Sequence, residues 1–138
     1  MNKSVLVGAA FLIVVFAACK KDESVNSPVA NTPVVANTQN AFSFNLTATS
    51  YTGAPQYTLA FTTDTIACSL TVVGQTAGTG SMIIADSNYS PVYADSALSN
   101  QVVAFTQTGK GIPKRIVMVF NGYTGTITLA LSRGNPIR

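Results

Sequence analysis

Histidine and tryptophan are absent from this 138-residue chain, and only 9% of its residues are charged. Without histidine, a Ser-His-Asp or Cys-His catalytic arrangement is impossible, and so is a histidine-bearing zinc site. Cysteine is limited to Cys19 and Cys68, too few for a disulfide framework. The formal charge of +3 is no nucleic-acid signature either. From Phe42 onward the basic residues are Lys110, Lys114, Arg115, Arg133 and Arg138, against Asp64, Asp86 and Asp95. That leaves no dense basic cluster and no stacking motif, so nucleic acid is not expected as a partner. The longest apolar run, Val5–Ala18, falls short of the roughly 20 residues that a spanning helix needs to cross about 30 Å of hydrocarbon.

What is present at the N-terminus is ordered. Lys3 supplies a positive charge, Val5–Ala18 follows without a polar side chain, and small residues Ala17 and Ala18 precede Cys19. This is the layout of an export signal. The motif Phe16-Ala17-Ala18-Cys19 resembles the lipobox of bacterial lipoproteins, with Phe16 where that family usually has Leu. The resemblance covers about the first 23 residues. It implies removal of residues 1–18 with Ala17 and Ala18 at the cut, diacylation of the Cys19 thiol, and acylation of the new amino group in Gram-negative species. One acyl chain holds a protein only reversibly, at about 0.8 kcal/mol per buried CH₂, whereas two or three anchor it. Lys20 in second place is similar to lipoproteins passed to the outer membrane. The run Lys20-Lys21-Asp22-Glu23 is similar to short signals for the outer surface. The resemblance therefore implies an outer-membrane, lipid-anchored protein facing the exterior, with a periplasm-facing orientation as the alternative. Without the resemblance, the four charges simply keep the first mature residues solvated.

Residues 24–40 carry no charge, two prolines and four asparagines, and read as a flexible linker after the lipidated end, 19–40. From Ala41 the pattern is alternation. Phe42, Phe44, Leu46 and Ala48 share one parity, as do Tyr57, Leu59 and Phe61, then Ile66, Cys68, Leu70 and Val72, and later Ile127, Leu129 and Leu131. A parity switch requires a turn or bulge at Thr63–Thr65. Turns are also expected at Gly74–Gly80, at Asp86–Asn88 and at the Asn121-Gly122 pair. No amphipathic helix is found. The expectation is an all-β domain over 41–138, an antiparallel β-sandwich of about seven to eight short strands in a Greek-key, jelly-roll or immunoglobulin-like order. The stretches Gly80–Asp86, Pro91–Ser96 and Arg115–Gly134 resemble the β-sandwich accessory modules of secreted bacterial enzymes, though their motifs carry over no binding residue.

Chemistry is sparse. Asp64, Asp86 and Asp95 sit among Thr, Ser and Asn, where aspartate bends and caps the backbone rather than acting as a glycosidase pair. A Ca²⁺ site around Asp86–Asn88 is the weaker reading. With Cys19 acylated, Cys68 has no disulfide partner and its parity places it in the core. Tyr51, Tyr89 and Tyr123 lie in or beside expected loops, where an aromatic face can stack on a sugar or anchor a protein interface, or simply cap the sandwich. The expectation is a non-enzymatic lipoprotein without cofactor or metal, acting as a structural, adhesive or accessory binding module. The alternative is a glycan-binding surface lipoprotein that assists polysaccharide uptake or a hydrolase.

Overall fold

The computed structural model of the chain describes residues 29–134, so the export signal, Cys19 and the charged run lie outside the described residues. Seven strands follow in chain order: β1 (Val34–Asn37), β2 (Ala41–Gly53), β3 (Gln56–Thr58), β4 (Ile66–Ala85), β5 (Pro91–Asp95), β6 (Gln101–Gln107) and β7 (Arg115–Arg133). No described residue is helical. Every pairing is antiparallel, and the strand order is β1-β2-β7-β4-β5, with β3 on β7 and β6 on β4.

The two long strands make the architecture. One half of β7 pairs with β2 and the other with β3, while one half of β4 pairs with β6 and the other with β5. β4 and β7 pair with each other along nearly their full length. The first layer is thus β1, β2, the later half of β7, the earlier half of β4, and β6. The second is β3, the earlier half of β7, the later half of β4, and β5. Alternation puts Phe42, Phe44, Leu46, Ile66, Leu70, Val72, Ile127 and Leu129 inward from the first layer, and Met82, Ile84, Ile116, Met118 and Phe120 inward from the second, all within one core. Each such side chain contributes about 1.5–3 kcal/mol by leaving water.

Contacts close both open edges. Tyr57 of β3 meets Phe42 and Phe44 of β2 at ring-centroid distances of 5.5 and 6.0 Å, and the Asn37 side-chain amide donates to the Thr58 carbonyl at 2.7 Å. On the other side Tyr93 of β5 packs on Phe105 of β6 at 4.6 Å, and the Gln107 amide donates to the Val92 carbonyl at 2.6 Å. The result is an antiparallel β-sandwich folded from one continuous sheet.

Two of the expected turns are absent for one reason. Gly74–Gly80 lies inside β4, and Asn121-Gly122 lies inside β7. An Asn-Gly pair closes a hairpin only when its flanks pair with each other. Here the flanks pair with other strands, so the chain bends rather than reverses. Register shifts fall between Ala48 and Gly53 in β2 and between Val73 and Thr79 in β4. The matching stretch of β7 carries Gly122 and Gly125 at φ 57° and 154°. In β7 the buried parity passes from Ile116, Met118 and Phe120 to Tyr123, Ile127 and Leu129, which takes one extra residue. The bulges lie side by side and form a fold line between the layers. At Gly78 (φ 73°) the strands approach closely, its missing Cβ site being occupied by the Asn121 and Gly122 backbone.

The expected linker also needs correction at its end. β1 lies within residues 24–40 and pairs with β2. Ahead of it, Asn31 donates from its backbone to Thr47 and exchanges side-chain bonds with the Thr49 backbone. Two of the expected turns do form: a bend at Thr63–Asp64, and the turn after Asp86.

Candidate functional site

The residues singled out by sequence do not converge. Tyr123 is fully buried, and its hydroxyl donates to the Leu98 carbonyl at 3.1 Å, so it cannot meet a ligand. This corrects its reading as a loop aromatic: it sits on β7 at the fold line, where its ring packs on Phe120 at 5.3 Å. It also pins the β5–β6 connection. Tyr123→Phe leaves the Leu98 carbonyl short of that donor, and should lower the urea midpoint by the equivalent of about 1–2 kcal/mol. Tyr51 is half-buried against Phe120. Of the three, only Tyr89 stands free, at 70% exposure.

The aspartates hold their own turns. Asp95 accepts from the Ala97 backbone and the Gln101 amide, the latter at 2.7 Å. Asp86 Oδ1 accepts from the backbone N–H groups of Asn88 (2.8 Å) and Ser90 (2.9 Å). Asp64 lies in the bend before β4. Among the described residues no group of three or more Cys, Asp or Glu side chains could hold a metal ion. Cys68 is buried and free, as its parity requires, and burial pushes its thiol up to about 12.

Asp86 does more than end a strand. Its two backbone bonds, with the Asp86 N–H donating to the Ser90 carbonyl, fix a tight turn that carries Tyr89 at φ 64°. Opposite the turn, Arg115 opens β7, paired with Ala85 on one side and Thr58 on the other. The Arg115 guanidinium carbon stands 3.7 Å from the centre of the Tyr89 ring. Such a cation–π contact is worth about 0.5–1 kcal/mol at an exposed site. Its Nε is buried without a hydrogen-bond partner.

Beside this pair lies a cleft of about 120 Å³ lined by Gln56, Tyr57, Thr58 and Arg115. Gln56 and Thr58 alternate outward on β3, while Tyr57 points inward, its phenol raised first by burial and second by Tyr51. Along the same outer face run Ile83 and Val119, both about half exposed. A second cleft, about 140 Å³, lies at the fold line between Gln75, Gly78–Gly80 and Ser96–Ser99. It carries no ionisable side chain. The Tyr89–Arg115 pair with its cleft is therefore the place where the fold gathers an exposed ring, a cation and neutral hydrogen-bonding groups.

Sequence reasoning found Tyr89 and missed Arg115, Gln56 and Thr58. No local signal marks them, because they meet only through the β3–β7 register. Compared with protein-family models, curated proteins and solved structures, the chain matches none of them.

Proposed function

We propose that the chain is an exported lipoprotein, anchored at the outer membrane through acylated Cys19, whose β-sandwich serves as a non-catalytic binding or structural module. The lipobox-like Phe16–Cys19 and the Lys20–Glu23 run support the address. The observation that carries the binding role is the Tyr89–Arg115 pair. It is an exposed aromatic ring and a stacked cation, held by a hydrogen-bonded turn on a two-layer scaffold.

Cys19→Ser removes the acylated thiol and should move the protein from the membrane fraction to the soluble one, with loss of fatty-acid labelling. Retention of both in the variant overturns the anchor. Protease added to intact cells should degrade the domain if it faces outward and spare it if it faces the periplasm.

The same pair favours a glycan ligand over a purely structural role. Sugar rings offer C–H faces to an aromatic and hydroxyls to groups such as Gln56 and Thr58. The full chain in detergent, screened against a panel of polysaccharides, should retain at least one polymer. Retention of none would leave the structural or adhesive role.

A further inference from the structure

Resting on the glycan-binding reading, we infer that the Arg115 cleft, with Tyr89 beside it, takes a carboxylate-bearing sugar, a uronic acid unit within a longer glycan. Three features converge on that class. First, Arg115 sits over Tyr89, with its guanidinium carbon 3.7 Å from the ring centre. A guanidinium held over an aromatic ring can still pair by its edge with a planar carboxylate through two parallel N–H···O bonds. Second, the cation is not consumed by the fold. Its Nε is buried without a hydrogen-bond partner, which leaves the Nη groups to meet a ligand, and the nearby turn carboxylate of Asp86 takes two backbone N–H groups on its Oδ1.

Third, the other lining groups are uncharged. Gln56 and Thr58 add a donor–acceptor amide and a hydroxyl to the cleft, which suits sugar hydroxyls better than a second acid. The Tyr89 ring, largely in solvent, offers an edge and a face for the sugar ring next to the bound carboxylate. An acidic peptide would need further cations for its repeating charges. Here Lys114, the basic residue next to Arg115, is tied to the Phe61 carbonyl at 2.7 Å.

The test uses the full chain in detergent micelles and fluorescent polymers: polygalacturonate, the same polymer with its carboxyls reduced to alcohols, dextran, and polyglutamate. Polygalacturonate should bind at least tenfold more tightly than its reduced form and more tightly than polyglutamate. Arg115→Gln should erase that tenfold advantage, and Arg115→Lys should restore little of it, because a lysine offers a point charge and no fork. Tyr89→Ala should weaken binding of polygalacturonate and leave that of polyglutamate unchanged.

Equal binding of native and reduced polymer overturns the uronate assignment while leaving the glycan reading intact. No binding of any sugar polymer overturns both. Polyglutamate binding as tightly as polygalacturonate makes the site a general anion site and overturns the assignment as well. The native-against-reduced comparison is made on unaltered protein, so it decides the matter even where the Arg115 variants fail to fold.

Discussion

Gly78→Ala should lower the stability of the domain by about 3 kcal/mol, a large share of the roughly 5–15 kcal/mol that holds a domain of this size together. Two costs add. At φ 73° an alanine is in the left-handed region, where a Cβ costs roughly 1–2 kcal/mol. That Cβ would also run into the Gly122 carbonyl and the Asn121 oxygen of the facing strand. These are backbone atoms and cannot rotate aside, and overpacking of that kind costs about 1–3 kcal/mol more.

Gly74 supplies the control. It has nearly the same backbone angle, φ 63°, but nothing stands within 4 Å of its Cβ position. Gly74→Ala should therefore cost only the backbone part. The difference between the two urea midpoints, followed by circular dichroism, isolates the close approach of β4 and β7 at the fold line. Equal losses would mean that the two strands do not meet there.

Alkali should destabilise the protein before the tyrosines of an ordinary surface would titrate. Burial moves the Cys68 thiol from 9.0 to about 12. Between those values the unfolded chain has lost the thiol proton while the folded chain keeps it. Unfolding then releases a proton, so the stability this group contributes is complete below about pH 9 and falls as pH rises, by roughly 1.4 kcal/mol per pH unit. Tyr123 and Tyr93 are shifted the same way, first by burial and, for Tyr93, next by Asp95 and Cys68. Tyr57 is raised as well. Their contributions begin to fade above their ordinary value of 10.0.

Urea midpoints taken from pH 7 upward should hold steady to about pH 9 and then drop. Cys68→Ala lowers the baseline by leaving a small cavity, but it should flatten the first unit of that drop. An unchanged slope in the variant would show that the buried thiol does not govern it.

The inward residues were legible because alternation is a local property. Phe42, Phe44, Leu46, Leu70 and Leu129 fall on the buried parity read from the chain, and all are at most 1% exposed. Cys68 follows the same rule. The turn around Asp86 was legible too, since an aspartate ahead of Ser and Asn bonds its own backbone.

The number of strands was harder to read. Gly74–Gly80 and Asn121-Gly122 have turn composition, but composition sets only which φ angles are open to a residue. Whether the chain then reverses or bends depends on what its flanks pair with, and here those partners lie far away in sequence. Val72 meets Ile127, and Gly80 meets Phe120.

The same limit governs the tyrosines and the site. Tyr89 and Tyr123 both have loop-like neighbours in sequence, yet one is 70% exposed and the other fully buried. The fold line carries Tyr123 inward, whereas the Asp86 turn holds Tyr89 out. Arg115 reaches Tyr89 because Arg115 pairs with Ala85 at the end of β4, one residue before that turn. By itself the sequence determined the all-β character, the inward face of the alternating strands and the absence of histidine chemistry, since each depends on residue type and short-range alternation. Only the tertiary structure decided where the long strands bend and which aromatic meets the cation, because both are set by pairing between segments that the chain keeps apart.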